Sequence, residues 1–129
     1  MINMERMKKE ELIKLIDSLG LDKEDFVVVS SGALVLRGIM DTAGDLDIAV
    51  TNIGLEFLKN KYDLVKKDNG WYKVNDMVEC VPDNMDGKKE LVDNYYVQDI
   101  NDYLKFLKGS KREKDKLRIP IVEEYIRTR

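Results

Sequence analysis

The stretch SSGALVLRGIMDTAGDLDIAV, residues 30–50, places Asp45 and Asp47 one residue apart in a segment typical of a β-strand. On a strand, residues i and i+2 project from the same face with their Cα atoms about 7 Å apart, so the two carboxylates lie side by side. At about 4 Å, two like charges repel by on the order of 1 kcal/mol in water and about 4 kcal/mol near a protein surface. A hard cation such as Mg²⁺ reverses that sign, because it prefers oxygen ligands and keeps positions open for substrate phosphates. Taken alone, the common D-x-D spacing favours two solvated aspartates on an edge strand.

A turn of small residues precedes this pair. Ser30, Ser31 and Gly32 follow the apolar run FVVV (residues 26–29) and come before a short apolar helix predicted over residues 33–40. Backbone N–H groups and hydroxyls at the start of a helix suit a phosphate. An ordinary strand-to-helix connection with a serine cap also explains the turn.

A third acidic residue lies within another apolar run. Glu79 is centred in MVECVP, residues 77–82. An unpaired charge buried in a sheet is costly, and a metal ion shared with Asp45 and Asp47 removes that cost. Alternation along a hairpin also permits an outward-facing glutamate. The loop acids Asp83 and Asp86 are weaker candidates.

Composition limits the possible functions. The 129 residues are 43% hydrophobic and 36% charged, which predicts one folded domain over residues 1–129. A net charge of -3 and a pI near 5.1 argue against a dedicated nucleic-acid clamp. The sequence contains no histidine, so acid–base or metal chemistry has to use carboxylates, lysines or tyrosines. One cysteine and a charged N-terminus predict a cytoplasmic protein without a signal peptide or membrane span.

Hydrophobic periodicity predicts an α+β fold, with helices packed on one mixed β-sheet. An amphipathic helix over residues 5–19 precedes a core of residues 26–82. Within this core, Asn52 is a candidate cap for a helix over residues 55–61, and Asn69-Gly70 predicts a hairpin within three antiparallel strands. After a polar loop, residues 96–127 are predicted as helices, with a capping box from Ser110 to Glu113 and an interruption at Pro120.

The 30–50 stretch resembles the core motif of the nucleotidyltransferase superfamily that includes DNA polymerase beta, in which a Gly-Gly or Gly-Ser turn, a short helix and an Asp-x-Asp pair form the active site. Residues 95–122, YYVQDINDYLKFLKGSKREKDKLRIPIV, are similar to the C-terminal part of small bacterial members, where a helix carrying a lysine precedes an Arg-x-Lys-Asp stretch. Lys108 and the residues Arg112, Lys114 and Asp115 occupy these places.

The resemblance implies a nucleotidyltransferase fold and a role for each motif residue. Asp45 and Asp47 would bind Mg²⁺, two ions in all, and through them the triphosphate of a nucleotide. Glu79 would occupy the third carboxylate position, as a general base or as a ligand of the second metal ion. The turn formed by Ser30, Ser31 and Gly32 would hold the phosphates, and Arg37 and Lys108 would add positive charge. Two residues depart from the family pattern: Ser30 replaces the usual first glycine, and Glu79 replaces the more usual aspartate.

The leading functional hypothesis is transfer of a nucleoside monophosphate from an NTP to a hydroxyl acceptor, either a small molecule or a partner protein. The first alternative is a catalytically degenerate nucleotidyltransferase-like domain, acting as a nucleotide- or protein-binding module in the way of antitoxin-like members. The second is an α+β interaction protein whose acidic residues are merely solvated. Neither a nucleic acid nor a membrane is expected as a partner.

Overall fold

The computed structural model describes residues 6–83 and 87–129, and it confirms the α+β class with a mixed sheet. The helices are α1 (Lys9–Leu19), α2 (Ser30–Leu36), α3 (Asn52–Lys61), α4 (Ile100–Gly109) and α5 (Glu113–Arg127). The strands are β1 (Met7–Lys8), β2 (Phe26–Val29), β3 (Thr42–Ala43), β4 (Leu46–Val50), β5 (Val65–Lys66), β6 (Tyr72–Lys73), β7 (Val78–Pro82), β8 (Lys89–Val92) and β9 (Tyr95–Gln98).

Within the described residues, seven strands form one sheet in the order β5-β6-β7-β4-β2-β9-β8. The centre is mixed, because β4 runs antiparallel to β2 and parallel to β7. Leu46, Ile48 and Val50 alternate along β4 and are fully buried, as the strand pattern predicts. The predicted three-stranded antiparallel unit is also confirmed, since β5 pairs with β6 and β6 with β7.

Two clusters of buried side chains fix the helices. The larger cluster packs α1, α2 and α3 against the sheet, and the smaller cluster joins α4 and α5 to α2. The smaller one is built around Leu34, Ile100, Tyr103, Leu107 and Val122. Through it, the C-terminal helices are held beside the end of β2. None of the helices in the described ranges combines the length and the apolar character needed to cross a bilayer.

The prediction of a wholly helical C-terminal region is wrong at its start. Residues Tyr95–Gln98 are strand β9, which pairs with β8 across a turn at Asp93 and Asn94. Both turn residues have positive φ, 52° and 71°, as a type I′ hairpin turn requires. This hairpin places β9 beside β2, in the parallel direction, and extends the sheet by two strands.

Four local predictions on the helices also differ from the structure. The N-cap of α3 is Thr51, whose hydroxyl accepts a hydrogen bond from Gly54 N–H, and not Asn52. The capping box at the start of α5 does not form, because the N-cap is Arg112; the Ser110 hydroxyl instead accepts from Arg112 N–H and donates to Asp115. The last helix is continuous through Pro120. At the N-terminus, α1 begins at Lys9 because Met7 and Lys8 pair with Ala43 and Thr42.

The predicted turn at residues 30–32 is the first turn of α2, which begins directly after β2. Ser30 has φ 59°, in the left-handed region that glycine adopts without a steric penalty. Ser31 and Gly32 are buried inside the helix. The usual glycine of the motif is thus replaced by serine at the residue where the backbone most favours glycine.

Two adjacent glycine substitutions are expected to have opposite effects on stability. Ser30→Gly relieves the left-handed strain and raises the free energy of unfolding by about 0.5–1 kcal/mol. The matched control Ser31→Gly introduces glycine into helical backbone and lowers it by about 1 kcal/mol. Urea denaturation followed by circular dichroism measures both, and a loss of stability in Ser30→Gly would contradict the strain at this residue.

Candidate active site

A cavity of about 550 Å³ opens where β2 ends and where β4 and β7 begin. The sheet contributes its floor, the β5–β6 hairpin one wall, and α4 and α5 another. The lining residues are Arg6, Ser30, Ser31, Gly44, Asp45, Asp47, Lys67, Asn69, Trp71, Glu79, Tyr103, Phe106, Arg112, Lys114, Asp115 and Arg118. Its volume lies within the range of small-molecule binding sites.

The three candidate carboxylates lie together in this cavity. Asp47 on β4 is directly in register with Glu79 on β7, and the pairing is parallel, so both side chains are on the same face of the sheet. Asp45 comes just before β4 and lines the same cavity. Antiparallel pairing of Val29 with Asp47 brings the following residues, Ser30 and Ser31, to this edge.

The pKa of Asp47 is raised by its surroundings. Burial, together with the negative charges of Asp45 and Glu79, raises the pKa of this carboxyl from 3.8 to about 6. Lys114 and Lys67 oppose the shift but do not cancel it. The protein therefore holds a carboxylate that is short of positive charge, which is the electrostatic condition for attracting a cation.

Glu79 already has a cationic partner. The Lys67 ammonium donates to both carboxylate oxygens of Glu79, at 3.0 and 2.8 Å. Both side chains are partly exposed, at 41% for Lys67 and 31% for Glu79. The pair lies inside the cavity, so any other cation at Glu79 has to compete with Lys67.

A hydrogen-bond network fixes the basic wall formed by α5. Asp115 is fully buried and accepts from Ser110 Oγ at 2.6 Å and from Arg112 Nε at 2.8 Å. A further bond joins Arg112 Nη2 to the other carboxylate oxygen at 3.2 Å. Burial alone would raise the pKa of Asp115, but these hydrogen bonds outweigh it and lower the pKa below its ordinary value. Asp115 is thus ionised and holds the Arg112 guanidinium at the cavity wall.

Aromatic side chains complete the wall formed by α4. The rings of Tyr103 and Phe106 are nearly parallel, with centroids 6.1 Å apart. Arg118 donates to the Tyr103 hydroxyl at 3.0 Å, which ties α5 to α4 beside the cavity. Phe106 is 51% exposed and offers an apolar surface at the rim.

Other residues predicted for the site lie outside the cavity. The Arg37 side chain is buried, forms an ion pair with Glu90 and donates to the Gln98 carbonyl at 2.8 Å. Lys108 faces α5 and pairs with Glu123 at 3.2 Å. Gly32 packs inside α2, where an added Cβ would lie 3.1 Å from Val28.

The two weaker acidic candidates do not join the carboxylates. Asp83 lies at the far end of β7, beside a separate small cavity, because its backbone N–H bonds to the Val50 carbonyl. Asp86 falls outside the described residues.

Several cavity residues were not predicted as site residues from the sequence. They are Arg6, Gly44, Lys67, Asn69, Trp71, Tyr103, Phe106 and Arg118. The hairpin register gives a signal for two of them: Lys67 pairs with Trp71 beside the Asn69-Gly70 turn, on the hairpin that flanks the strand carrying Glu79. Arg6 reaches the site through hydrogen bonds to Thr42, a contact between distant residues that no local pattern predicts.

The chemical types of these side chains fit a hard divalent cation, which prefers oxygen ligands. They are three carboxylates and the hydroxyls of Ser30 and Ser31, the two residues that follow β2. Within residues 6–83 and 87–129, no group of three His, Cys, Asp or Glu side chains is arranged so as to hold a metal ion. The contact between Lys67 and Glu79 is one physical reason, because it directs the third carboxylate toward an ammonium.

No protein-family model, no curated protein and no solved structure matches this chain. The positions and charges of the cavity residues are therefore the observations from which a function is inferred.

Titration of Asp47 is expected to make stability fall as the pH rises from about 4 to about 6. The folded state keeps a proton on Asp47, with a pKa of about 6, that the unfolded chain releases near 3.8. The loss is on the order of 1–2 kcal/mol, allowing for solvent screening of a partly exposed group. In Asp47→Asn this pH dependence should disappear, as measured by urea denaturation at stepped pH. The control Asp76→Asn, with a side chain 97% exposed, should keep the wild-type profile; an unchanged profile in Asp47→Asn would contradict the shift.

Replacing Asp115 is expected to destabilise the protein strongly. Asp115→Asn leaves Arg112 and Ser110 without their charged acceptor and should lower the free energy of unfolding by about 2–4 kcal/mol. Glu113→Gln, an exposed acid in the same first turn of α5, is the matched control and should cost about 0.5 kcal/mol or less. Equal urea midpoints for the two variants would show that the buried network contributes no stability.

Proposed function

We propose that this chain is a metal-dependent nucleotidyltransferase that moves a nucleoside monophosphate from an NTP to a hydroxyl acceptor. The observation that carries the proposal is the position of Asp47 and Glu79, in register on neighbouring parallel strands, with Asp45 in the same cavity. Three carboxylates at the edge of a mixed sheet, directly after a strand and a short helix, also support assignment to the nucleotidyltransferase fold. The resemblance of residues 30–50 to the polymerase beta motif points the same way.

The basic residues of the cavity suit a triphosphate. Arg112, Lys114 and Arg118 line the wall opposite the acidic edge, and Arg112 is oriented by the buried Asp115. A fixed guanidinium forms charge-assisted hydrogen bonds to phosphate oxygens at little cost in side-chain entropy. Arg112 and Lys114 are therefore assigned to the phosphates, and they supply the positive charge that the sequence resemblance had expected from Arg37 and Lys108.

The serines at the start of α2 are assigned to the same ligand. Ser30 and Ser31 line the cavity next to the carboxylates, and each has a hydroxyl that donates to a phosphate oxygen. Ser30 has a φ of 59°, which glycine adopts without a steric penalty, at the position where the family motif has glycine.

Asp45, Asp47 and Glu79 would hold the Mg²⁺ ions. Bound there, Mg²⁺ would supply the positive charge that offsets the charge of the triphosphate and of the transferred phosphoryl group. The chain's own residues would then orient the nucleotide. The carboxylates would act on the triphosphate through Mg²⁺, and Arg112 would bind the phosphate oxygens directly. An acceptor hydroxyl attacks the α-phosphorus in line and gives up its proton to Glu79 or to solvent. The bond between the α-phosphorus and the oxygen that it shares with the β-phosphorus breaks, and pyrophosphate leaves.

A second candidate function is nucleotide binding without turnover. Two observations favour it: Glu79 is bonded to Lys67, and Ser30 is strained where glycine is usual. This candidate predicts that Mg²⁺ and NTP together raise the melting temperature while no nucleotide is transferred and no pyrophosphate is released.

The transferase proposal predicts loss of activity when the paired aspartates are neutralised. With Mg²⁺ and each of four labelled NTPs, the wild type should release pyrophosphate, slowly to water or faster with a suitable acceptor. Asp45→Asn and Asp47→Asn should each reduce the rate by about 100-fold or more, since each removes charge that the transition state requires. Release is measured with a coupled pyrophosphate assay.

The control for this experiment is Asp76→Asn, which removes an equally negative side chain that is 97% exposed and does not line the cavity. It should keep the wild-type rate. Activity that survives in the Asp45→Asn, Asp47→Asn double variant would refute the assignment of these residues. Nucleotide-dependent stabilisation without turnover would support the binding module instead.

A further inference from the structure

Lys67 is placed in the cavity by backbone structure and not by a flexible loop. Its N–H donates to the Trp71 carbonyl at 2.7 Å, and its carbonyl accepts from Gly70 N–H at 3.3 Å. These two bonds close the turn of the β5–β6 hairpin. The Lys67 side chain therefore starts from a fixed point opposite Trp71, and it reaches across β6 to Glu79.

A neighbouring lysine shows that this contact is selective. Lys73 is the direct cross-strand partner of Glu79, yet its ammonium lies 3.4 Å from Asp76 and does not line the cavity. Lys67 instead contacts both oxygens of Glu79. The hairpin thus carries two lysines on the same face of the sheet. Lys67 lines the cavity, and Lys73 does not.

Lys67 shares one cavity with all three carboxylates, because Asp45 and Asp47 line it together with Glu79. With both oxygens of Glu79 engaged, the carboxylate edge that would face a divalent ion is covered by an ammonium.

We propose that Lys67 is a built-in cation of the cavity: it holds Glu79 in the nucleotide-free protein, and it releases this carboxylate and turns to the triphosphate when Mg²⁺ and nucleotide are bound. This inference rests on the proposed function, because it concerns the same carboxylates and the same ligand. It makes Lys67 a positioning residue for Glu79 in one state and a phosphate ligand in the other.

The proposal predicts opposite effects of one substitution on two affinities. Lys67→Met frees Glu79 and leaves the acidic group more negative, so Mg²⁺ alone should bind about fivefold more tightly than to the wild type. The same variant lacks a phosphate ligand, so a Mg²⁺-bound non-hydrolysable NTP analogue should bind about tenfold more weakly. A purely structural role for Lys67 would weaken both or neither.

Isothermal titration calorimetry with the full chain measures both affinities. The single tryptophan, Trp71, lines the cavity, so quenching of its fluorescence by Mn²⁺ gives a second readout that does not require turnover. Lys73→Met is the matched control, since it removes a lysine from the same hairpin, and it should leave both affinities unchanged. Lys67→Arg keeps the charge and should resemble the wild type, so it also tests whether Lys67→Met changes affinity through loss of folding.

Equal Mg²⁺ affinity in the wild type and Lys67→Met, or no Mg²⁺ binding by either, overturns the role of Lys67. The transferase proposal then still stands if nucleotide transfer depends on Asp45 and Asp47. Conversely, tighter Mg²⁺ binding by Lys67→Met together with no turnover in any variant supports the role of Lys67 and overturns transfer as the function. The two proposals therefore fail in distinguishable ways.

Discussion

The parallel pairing of β4 with β7 is the constraint on which the site depends. It fixes Asp47 beside Glu79 in the same register, on a face where burial already disfavours a charged carboxylate. A shift of one residue would turn either side chain to the opposite face, where Val78 and Cys80 are buried in the core. The hydrophobic alternation that holds Leu46, Ile48 and Val50 in the core thus also holds the like charges together.

The elements around this pair supply positive charge from three directions. Five basic and four acidic side chains line the cavity within the described residues, so the negative edge is nearly balanced without any ligand. Lys67 lies on the β5–β6 hairpin and Arg6 lies directly before β1. Arg112 is the N-cap of α5, and Lys114 and Arg118 lie within that helix. The buried contacts of Leu34 with α4 and α5 keep that helical wall in place, so core packing and the charge of the cavity are coupled.

How far the sequence predicts this structure depends on how local the signal is. Alternation predicted β4 and its buried face, and the Asn69-Gly70 turn predicted the antiparallel unit that carries Glu79. Strands β8 and β9 were missed because their turn, Asp93-Asn94, contains no glycine and because the tyrosines of β9 also fit an amphipathic helix. Arg37 and Lys108 lie outside the cavity since their partners, Glu90 and Glu123, are chosen by contacts between distant elements. Side-chain direction of this kind is set by tertiary packing, which a single sequence does not display.

Two departures from local rules lie at the same place in the fold. Ser30 adopts a backbone conformation that costs a non-glycine residue on the order of 1 kcal/mol, and Asp47 is buried next to like charges. Folding alone would favour glycine at the first position and a neutral side chain at the second. Backbone strain and buried like charges are typical of functional sites. Binding of a ligand there can offset the stability that the ligand-free protein loses through them. Ser30 and Asp47 line one cavity, so the Mg²⁺-bound nucleotide proposed above would contact both departures at once.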